Sequence, residues 1–171
     1  AQSLPNNEAE RVQALHASGV MNHDNLPLYQ EHIAQARNAF DAKYAQISWV
    51  DSDWVATPAS PLRDKAVAAA DAGLRRDESV CTYLVYQDSD LVITDINRDP
   101  RFADNPELSS NKIRFYAGVP LRDKKGHILG SLCIMDNEPR NISAYYMAVL
   151  HEMADELMLT LHDDNKRQAA L

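Results

Sequence analysis

The segment HILGSLCIMD, residues 127–136, restricts the folds open to this chain more than any other stretch. Side chains alternate between the two faces of a strand. One face would carry Ile128, Gly130, Leu132 and Ile134, and the other would carry Leu129, Ser131, Cys133 and Met135. Both faces are mostly apolar, and such a strand has to be covered on both sides. The sequence therefore predicts a central strand in a sheet with a layer packed against each face.

Further strands are predicted from β-branched and aromatic residues bounded by turn signals. KIRFYAGVPL (112–121) precedes the polar turn RDKKG and forms a hairpin with the apolar strand. AQISWVD (45–51) and DWVATPA (53–59) form another hairpin, and DLVITDI (90–96) is a single strand. Hairpins at both ends of this series favour an antiparallel sheet.

Helices are predicted at both ends of the chain. Residues 7–20 open with Asn7 as an N-cap and end at Gly19, and residues 27–41 carry apolar side chains at a spacing of three to four. A long helix from about 144 to 165 follows Ser143. Helices flanking an antiparallel sheet define an α+β layer fold.

The middle of the chain gives weaker patterns. Alanines predict a helix over residues 62–75, and residues 78–87 are ambiguous between a short helix and a strand. Residues 99–108 fit a short helix at most, because Pro106 interrupts the segment.

Composition and charge narrow the range of possible partners and functions. The 171 residues suit one domain, and 45% apolar with 25% charged residues is typical of folded, soluble proteins. The net charge of -8, with scattered cations, argues against nucleic acid as a partner. No apolar run reaches the roughly 20 residues of a membrane span.

The two cysteines, Cys81 and Cys133, sit in apolar contexts without C-x-x-C spacing. We expect both to be buried free thiols, which indicates a reducing cytoplasm. The chain begins at Ala1 without a Met or a signal-like segment, so we expect it to be a piece of a longer protein.

Catalytic motifs are not found in the sequence. It contains neither G-x-S-x-G, a phosphate-binding loop nor G-x-G-x-x-G, and its six histidines lack the close spacing of metal ligands. We therefore predict neither an enzyme nor a metal site.

One group of polar residues lies on otherwise apolar segments. Asp95 ends a strand, Arg101 and Phe102 would open the short helix, and Arg114 and Tyr116 are two apart and so share a strand face.

Two interpretations of this group remain open. In the first, Arg114 or Arg101 forms an ion pair with Asp95 or Asp104 and holds the irregular segment onto the sheet. In the second, this face and the segment 78–110 enclose a small-molecule pocket whose polar anchors are Arg and Tyr.

Five ordered motifs resemble the GAF domain family, in the bacterial subgroup that precedes histidine kinase and diguanylate cyclase domains. They are NEAERVQALHASGVM, SVCTYLVYQDSDLVITDINRDPRFADNPEL, IRFYAGVPLR, GHILGSLCIMD and PRNISAYYMAVLHEMADEL. The resemblance implies a GAF domain over residues 7–164, an N-terminal extension over 1–6, and a helix end or linker to an output domain over 165–171.

The resemblance also implies architecture and role. It implies a central antiparallel sheet of five or six strands, PAS-like, with the N- and C-terminal helices on one face and short helices and loops on the other. The implied function is a non-catalytic sensory domain that binds an unidentified small ligand, forms a homodimer through its terminal helices and signals through the C-terminal helix. The candidate ligand-binding residues are Arg114, Tyr116, Asp95, Phe102, Tyr83 and Cys81.

Some ligands of the family are not expected. Neither cysteine has a neighbouring histidine, as bilin attachment in the family requires. Asn111-Lys112 and Phe115 match part of a cyclic-nucleotide signature, but its Asp-Glu pair is missing. The cofactor, if any, is therefore not identified by the sequence.

Two alternatives stand beside the sensory domain. One is a dimerisation module that binds nothing small. The other is a free methionine-R-sulfoxide reductase, since Cys81 in SVCTY resembles a cysteine of those enzymes, but RFADNPELSSN lacks their attacking cysteine. The segment 55–80, longer and richer in alanine than usual, would reshape or close a pocket.

Overall fold

The computed structural model describes residues 7–62 and 73–170. The helices are α1 (Glu8–Ala17), α2 (Leu26–Phe40), α3 (Cys81–Gln87), α4 (Pro106–Ser110) and α5 (Ala144–Ala170). The strands are β1 (Tyr44–Val50), β2 (Trp54–Ala56), β3 (Gly73–Arg75), β4 (Leu91–Ile93), β5 (Phe115–Arg122) and β6 (Ile128–Asp136).

These strands form one six-stranded sheet in the order β3-β2-β1-β6-β5-β4. Every neighbouring pair is antiparallel, and both predicted hairpins, β1-β2 and β5-β6, are present. β6 lies between β1 and β5, as its two apolar faces predict. The α+β layer fold with a six-stranded antiparallel sheet is confirmed.

The sheet separates two hydrophobic layers. On one face, α1, α2 and α5 contribute a core that includes Leu15, Ile33 and Leu157. On the other face, α3 and the segments around α4 contribute a second core that includes Leu84 and Leu108. The first is called the terminal-helix layer and the second the short-helix layer.

A bulge at the start of β6 breaks the simple alternation predicted for this strand. Leu121 pairs with Gly130 and Arg122 pairs with Ile128, so Leu129 is the extra residue. Leu129 consequently joins the terminal-helix layer and Ile128 the short-helix layer, the reverse of the prediction. Gly130 lies against β1, where an added Cβ would sit 1.7 Å from the Ser48 carbonyl oxygen.

The middle of the chain differs most from the prediction. Gly73–Arg75 is strand β3 and not the end of a helix, because it pairs with β2; residues 63–72 of that predicted helix lie outside the described residues. The ambiguous segment 78–87 contains helix α3. The short helix begins at Pro106, capped by the Asn105 side chain, so Arg101 and Phe102 precede it.

The two terminal helices also differ from the prediction. α5 continues to Ala170, beyond the predicted end. α1 ends at Ala17, before the predicted end at Gly19, and its buried residues are Arg11 and Leu15. Within the described ranges, no helix combines the length and apolar character needed to cross a membrane.

Candidate functional site

A hydrogen-bonded network of buried polar side chains, called the buried polar network, runs beneath α3 on the short-helix side of the sheet. Ser60 Oγ donates to Gln46 Oε1 at 2.5 Å, and Gln46 Nε2 donates to Ser48 Oγ at 3.3 Å. Cys81 Sγ donates to the same Ser48 oxygen at 3.2 Å and lies 3.7 Å from the Tyr116 hydroxyl. The buried polar network thus joins β1, α3 and β5 through their side chains.

Two further polar side chains, both on β6, border the buried polar network. Ser131 pairs in register with Ser48, and Cys133 pairs with Gln46. The Ser131 hydroxyl is buried and forms no hydrogen bond of normal geometry with a residue in 7–62 or 73–170, although Tyr116 lies near it. Buried hydroxyls are normally hydrogen-bonded, so Ser131 retains unused bonding capacity in this layer.

Burial favours the neutral forms of two acidic side chains in this layer, Tyr116 and Cys133. Burial raises the pKa of the Tyr116 phenol well above its usual range, and the thiols of Cys81 and Cys133 raise it further. Burial likewise raises the pKa of the Cys133 thiol. Since the thiolate is the nucleophilic form, Cys133 is unsuited to covalent chemistry at neutral pH.

Arg114 and Asp95 form a bidentate ion pair at the edge of the sheet. Arg114 Nε and Nη2 each donate to one carboxylate oxygen of Asp95 at 3.1 Å. The Ile96 amide also donates to the Arg114 carbonyl at 2.7 Å, which fastens the segment after β4 to the start of β5. The ion-pair interpretation is confirmed for Arg114, whereas Arg101 pairs with Asp99.

Asp95 has an altered proton affinity because of this contact. The hydrogen bond from Arg114 holds its pKa below the usual range of an aspartate, although burial acts in the opposite direction. The carboxylate is therefore ionised at neutral pH, and each of its two oxygens accepts a hydrogen bond from the guanidinium.

Tyr83 and Phe102 form the third pair among the candidate residues. Their ring centroids are 4.7 Å apart in an edge-to-face arrangement, and Phe102 is almost fully buried. Arg101 lies over the Phe102 ring, 5.0 Å from its centroid. This aromatic pair packs the segment before α4 against α3.

The six predicted ligand-binding residues are thus brought together as three pairs. Asp95 lines an edge cavity of about 730 Å³, and Tyr83 lines a different cavity of about 590 Å³. Cys81, Tyr116 and Phe102 are at most 2% exposed, so a ligand would reach them only by displacing packed side chains. Their role in binding stays a prediction.

A buried cluster of Arg11, Glu8 and Arg76 was missed from the sequence. Arg11 is 1% exposed and donates through Nη1 to the Val50 carbonyl at 2.6 Å and the Ile128 carbonyl at 3.3 Å. Glu8 accepts hydrogen bonds from both arginines.

This cluster changes the proton affinity of Glu8. Burial raises the pKa of Glu8, but the hydrogen bonds from Arg76 and Arg11 outweigh burial and lower it to about 2. The only signal in the sequence was the spacing of three between Glu8 and Arg11, which usually marks a solvated helix face.

Comparisons with known proteins agree with this architecture. The model of the GAF domain family matches residues 24–161. The structure of the GAF domain from a phosphoenolpyruvate-protein phosphotransferase of Coxiella burnetii covers 96% of this chain and 98% of its own, with a TM-score of 0.69 and 16% identity. The corresponding GAF domain from Acinetobacter covers 98% and 100%, with a TM-score of 0.64 and 14% identity.

A curated relative is more similar in sequence. The protein named Cyclic di-GMP phosphodiesterase PA2567, from Pseudomonas aeruginosa, is 31% identical over 163 residues, which are 92% of this chain and 26% of that protein. The chain therefore spans about a quarter of the relative's length. From the family match over residues 24–161 and the shared fold, we conclude that this chain belongs to the GAF domain family.

Proposed function

We propose that this chain is a non-catalytic regulatory domain of a bacterial signalling protein, which senses a small ligand and transmits its state through α5. The observation that carries the proposal is the course of α5. This helix packs through Leu150, Leu157 and Leu161 onto the terminal-helix layer and continues to Ala170. A helix that continues beyond Leu161, the last of these three core residues, suits the transfer of a movement to a following domain.

The sensing side is supported by the sheet itself. Tyr116 and Cys133 face the short-helix layer, while Phe115, Ala117 and Ile134 on the same strands face the terminal-helix layer. A rearrangement around the buried polar network would therefore shift side chains that contact α5. Close-packed interiors transmit such displacements because they leave little free volume.

The curated relative supports the protein class. Its name describes a cyclic di-GMP phosphodiesterase, and this chain matches about a quarter of it. We propose that the chain regulates an output domain of a related signalling protein, which joins it after residues 165–171. The two free, buried thiols are compatible with a cytoplasmic location.

Two measurements test this function on the purified chain. Thermal denaturation with a panel of metabolites and cyclic nucleotides should reveal at least one ligand that raises the melting temperature, since binding to the folded state stabilises it. Incubation with cyclic di-GMP and Mg²⁺ or Mn²⁺, followed by chromatography, should show no hydrolysis. A complete absence of shifts would refute sensing, and turnover would refute the non-catalytic role.

A dimerisation module is the second candidate, favoured by apolar side chains exposed on α5. Tyr145 is 71% exposed, Leu159 58% and Tyr146 47%. We propose that helices over residues 7–20 and 143–165 form the interface, because association would cover these side chains. Light scattering should give twice the chain mass, and Leu159→Glu should restore the monomer. A strict monomer at high concentration contradicts this candidate.

A further inference from the structure

A cavity of about 590 Å³ opens where β1 turns into β2, next to the start of α3. Its wall includes Trp54, Arg75, Arg76, Tyr83 and Tyr86. A volume of this size suits a small organic ligand, for which sites typically measure about 300–1,000 Å³. Of the six residues predicted to bind a ligand, this wall includes Tyr83 alone. The cavity is therefore a different site from the buried polar network, which contains Cys81 and Tyr116.

The aromatic wall of the cavity is exposed to solvent. Trp54 is 58% exposed, whereas Trp49, the other tryptophan, is fully buried in the terminal-helix layer. Tyr83 and Tyr86 are half-buried. An exposed indole beside two phenol rings provides flat apolar surfaces on which a planar ring stacks.

Arg76 supplies a buried cation with unused hydrogen-bond donors. Its side chain is 7% exposed, and Nη1 donates to the Glu8 carboxylate and to the carbonyls of Asp51 and Ser52 at 3.0 and 3.2 Å. Nε and Nη2 are buried and form no hydrogen bond of normal geometry with any described residue. Tyr86 covers the guanidinium, with its ring centroid 5.1 Å from Cζ.

The buried cluster around Arg76 has a positive excess, whereas the exposed part of the cavity wall carries two carboxylates, Asp53 and Asp77. Arg11 and Arg76 share the single carboxylate of Glu8. Arg75 beside them is 65% exposed and only loosely held, with Nε 3.4 Å from Asp77. Asp77 is itself 72% exposed, so solvent screens its charge more strongly than that of the buried arginine.

We propose that this cavity binds a small planar anion, with its aromatic ring on Trp54 and its carboxylate or phosphate on Arg75 and Arg76. A guanidinium presents paired N–H donors that match both kinds of anionic group. Nε and Nη2 of Arg76 are buried and the Tyr86 ring lies over the guanidinium, so Tyr86 has to turn aside before an anion reaches these two donors. The anion then satisfies donors that the protein leaves unpaired.

Binding at Arg76 would also affect α1. An anion on Nε and Nη2 of Arg76 would bring negative charge close to the Glu8 carboxylate that Nη1 binds, and the two negative charges repel each other. Glu8 links α1 to Arg76, and Arg11 links α1 to the Val50 and Ile128 carbonyls. Occupancy would therefore loosen the attachment of α1. This consequence rests on the proposed regulatory function, whereas the binding site itself does not.

Fluorescence titration with two matched pairs of probes tests the site. The pairs are nicotinate with nicotinamide and AMP with adenosine, in which only the first member carries the anionic group. We expect at least one anion to quench tryptophan emission saturably and to bind roughly tenfold more tightly than its neutral partner. The pair that responds distinguishes a carboxylate from a phosphate ligand.

Substitutions test whether the quenching comes from anion binding in this cavity. Trp54→Phe should abolish the quenching although Trp49 still emits, and Arg75→Gln should weaken binding roughly tenfold. Arg98→Gln is the matched control, since Arg98 is 88% exposed at the other cavity, and it should bind like the parent chain. Circular dichroism should show that all three variants are folded.

Three results would overturn the site: no saturable quenching by either anion at millimolar concentration, equal responses to the neutral partners, or unchanged quenching in Trp54→Phe. Hydrogen exchange of α1 amides with and without the bound anion then tests the coupling. Binding without faster exchange in α1 would remove the regulatory consequence and leave the site intact.

Discussion

The hydroxyl of Tyr116 lies 2.7 Å from the position that a Cβ on residue 118 would occupy, and Gly118 has none. Two ring carbons of Tyr116 lie 3.0 Å from the same point. The Tyr116 side chain therefore fills the space above Gly118 on the short-helix face of β5. The glycine in FYAGVPLR provides room for a buried aromatic side chain.

Gly118→Ala is expected to destabilise the domain by about 1–3 kcal/mol, the usual cost of forcing extra volume into a packed core. Tyr116 is 2% exposed and has little space into which it can move. Urea denaturation of the variant and the parent chain measures the difference.

The double variant Gly118→Ala with Tyr116→Phe provides the control. Removing the hydroxyl eliminates the shortest of the three contacts, so the two substitutions should couple by about 1 kcal/mol. Strictly additive effects would show that Tyr116 does not occupy the space above Gly118.

The sheet was predictable because its strands carry local signals. The two apolar faces of residues 127–136 placed β6 at the centre, and turn residues located the hairpins. β3 has only three residues and is held by pairing with β2, which a local pattern does not reveal. The bulge at Leu129 was also hidden, because an inserted residue leaves the composition of a strand unchanged.

The candidate site was predictable only in part. Arg114 and Asp95 lie 19 residues apart, and an arginine on an apolar strand requires an acceptor, so their ion pair was among the expected arrangements. Glu8 and Arg76 are separated by 68 residues, and each is typical of a solvated surface in its own segment. Their contact depends on how α1 packs at the end of the sheet.

Arg114→Ala should lower the melting temperature by a few degrees, since it releases the segment after β4 from β5. Arg98→Ala is the control, because Arg98 is 88% exposed and approaches Asp95 only to 3.6 Å. We expect no measurable change there. If Arg114 is also part of a ligand site, its substitution will weaken binding of the ligand found by thermal shift; a purely structural residue will change stability alone.

The two thiols should resist modification in the folded protein. Cys81 is 2% exposed and Cys133 is fully buried, and burial raises the pKa of Cys133. Reaction with Ellman's reagent at mildly alkaline pH should be at least about a hundredfold slower than in urea, because the protein has to open first. The Cys81→Ser variant assigns the signal to Cys133. Rapid labelling of Cys81 in the native chain would favour the reductase alternative.

Glu8→Gln should destabilise the domain by about 2 kcal/mol, since it removes the charge that accepts hydrogen bonds from two buried arginines. Glu10→Gln is the matched control: Glu10 lies on the same helix with a side chain 76% exposed. Its substitution should have little effect. Urea denaturation at neutral pH compares both variants with the parent chain.

The effect of Glu8 should also depend on pH in a defined direction. Its pKa falls from 4.5 to about 2 in the folded state, so its contribution is present above pH 4.5 and disappears as the pH falls towards 2. The stability difference between the parent chain and Glu8→Gln should therefore shrink in acid, while the difference for Glu10→Gln stays small throughout. A constant difference between neutral and acidic pH would show that Glu8 is not held ionised by Arg11 and Arg76.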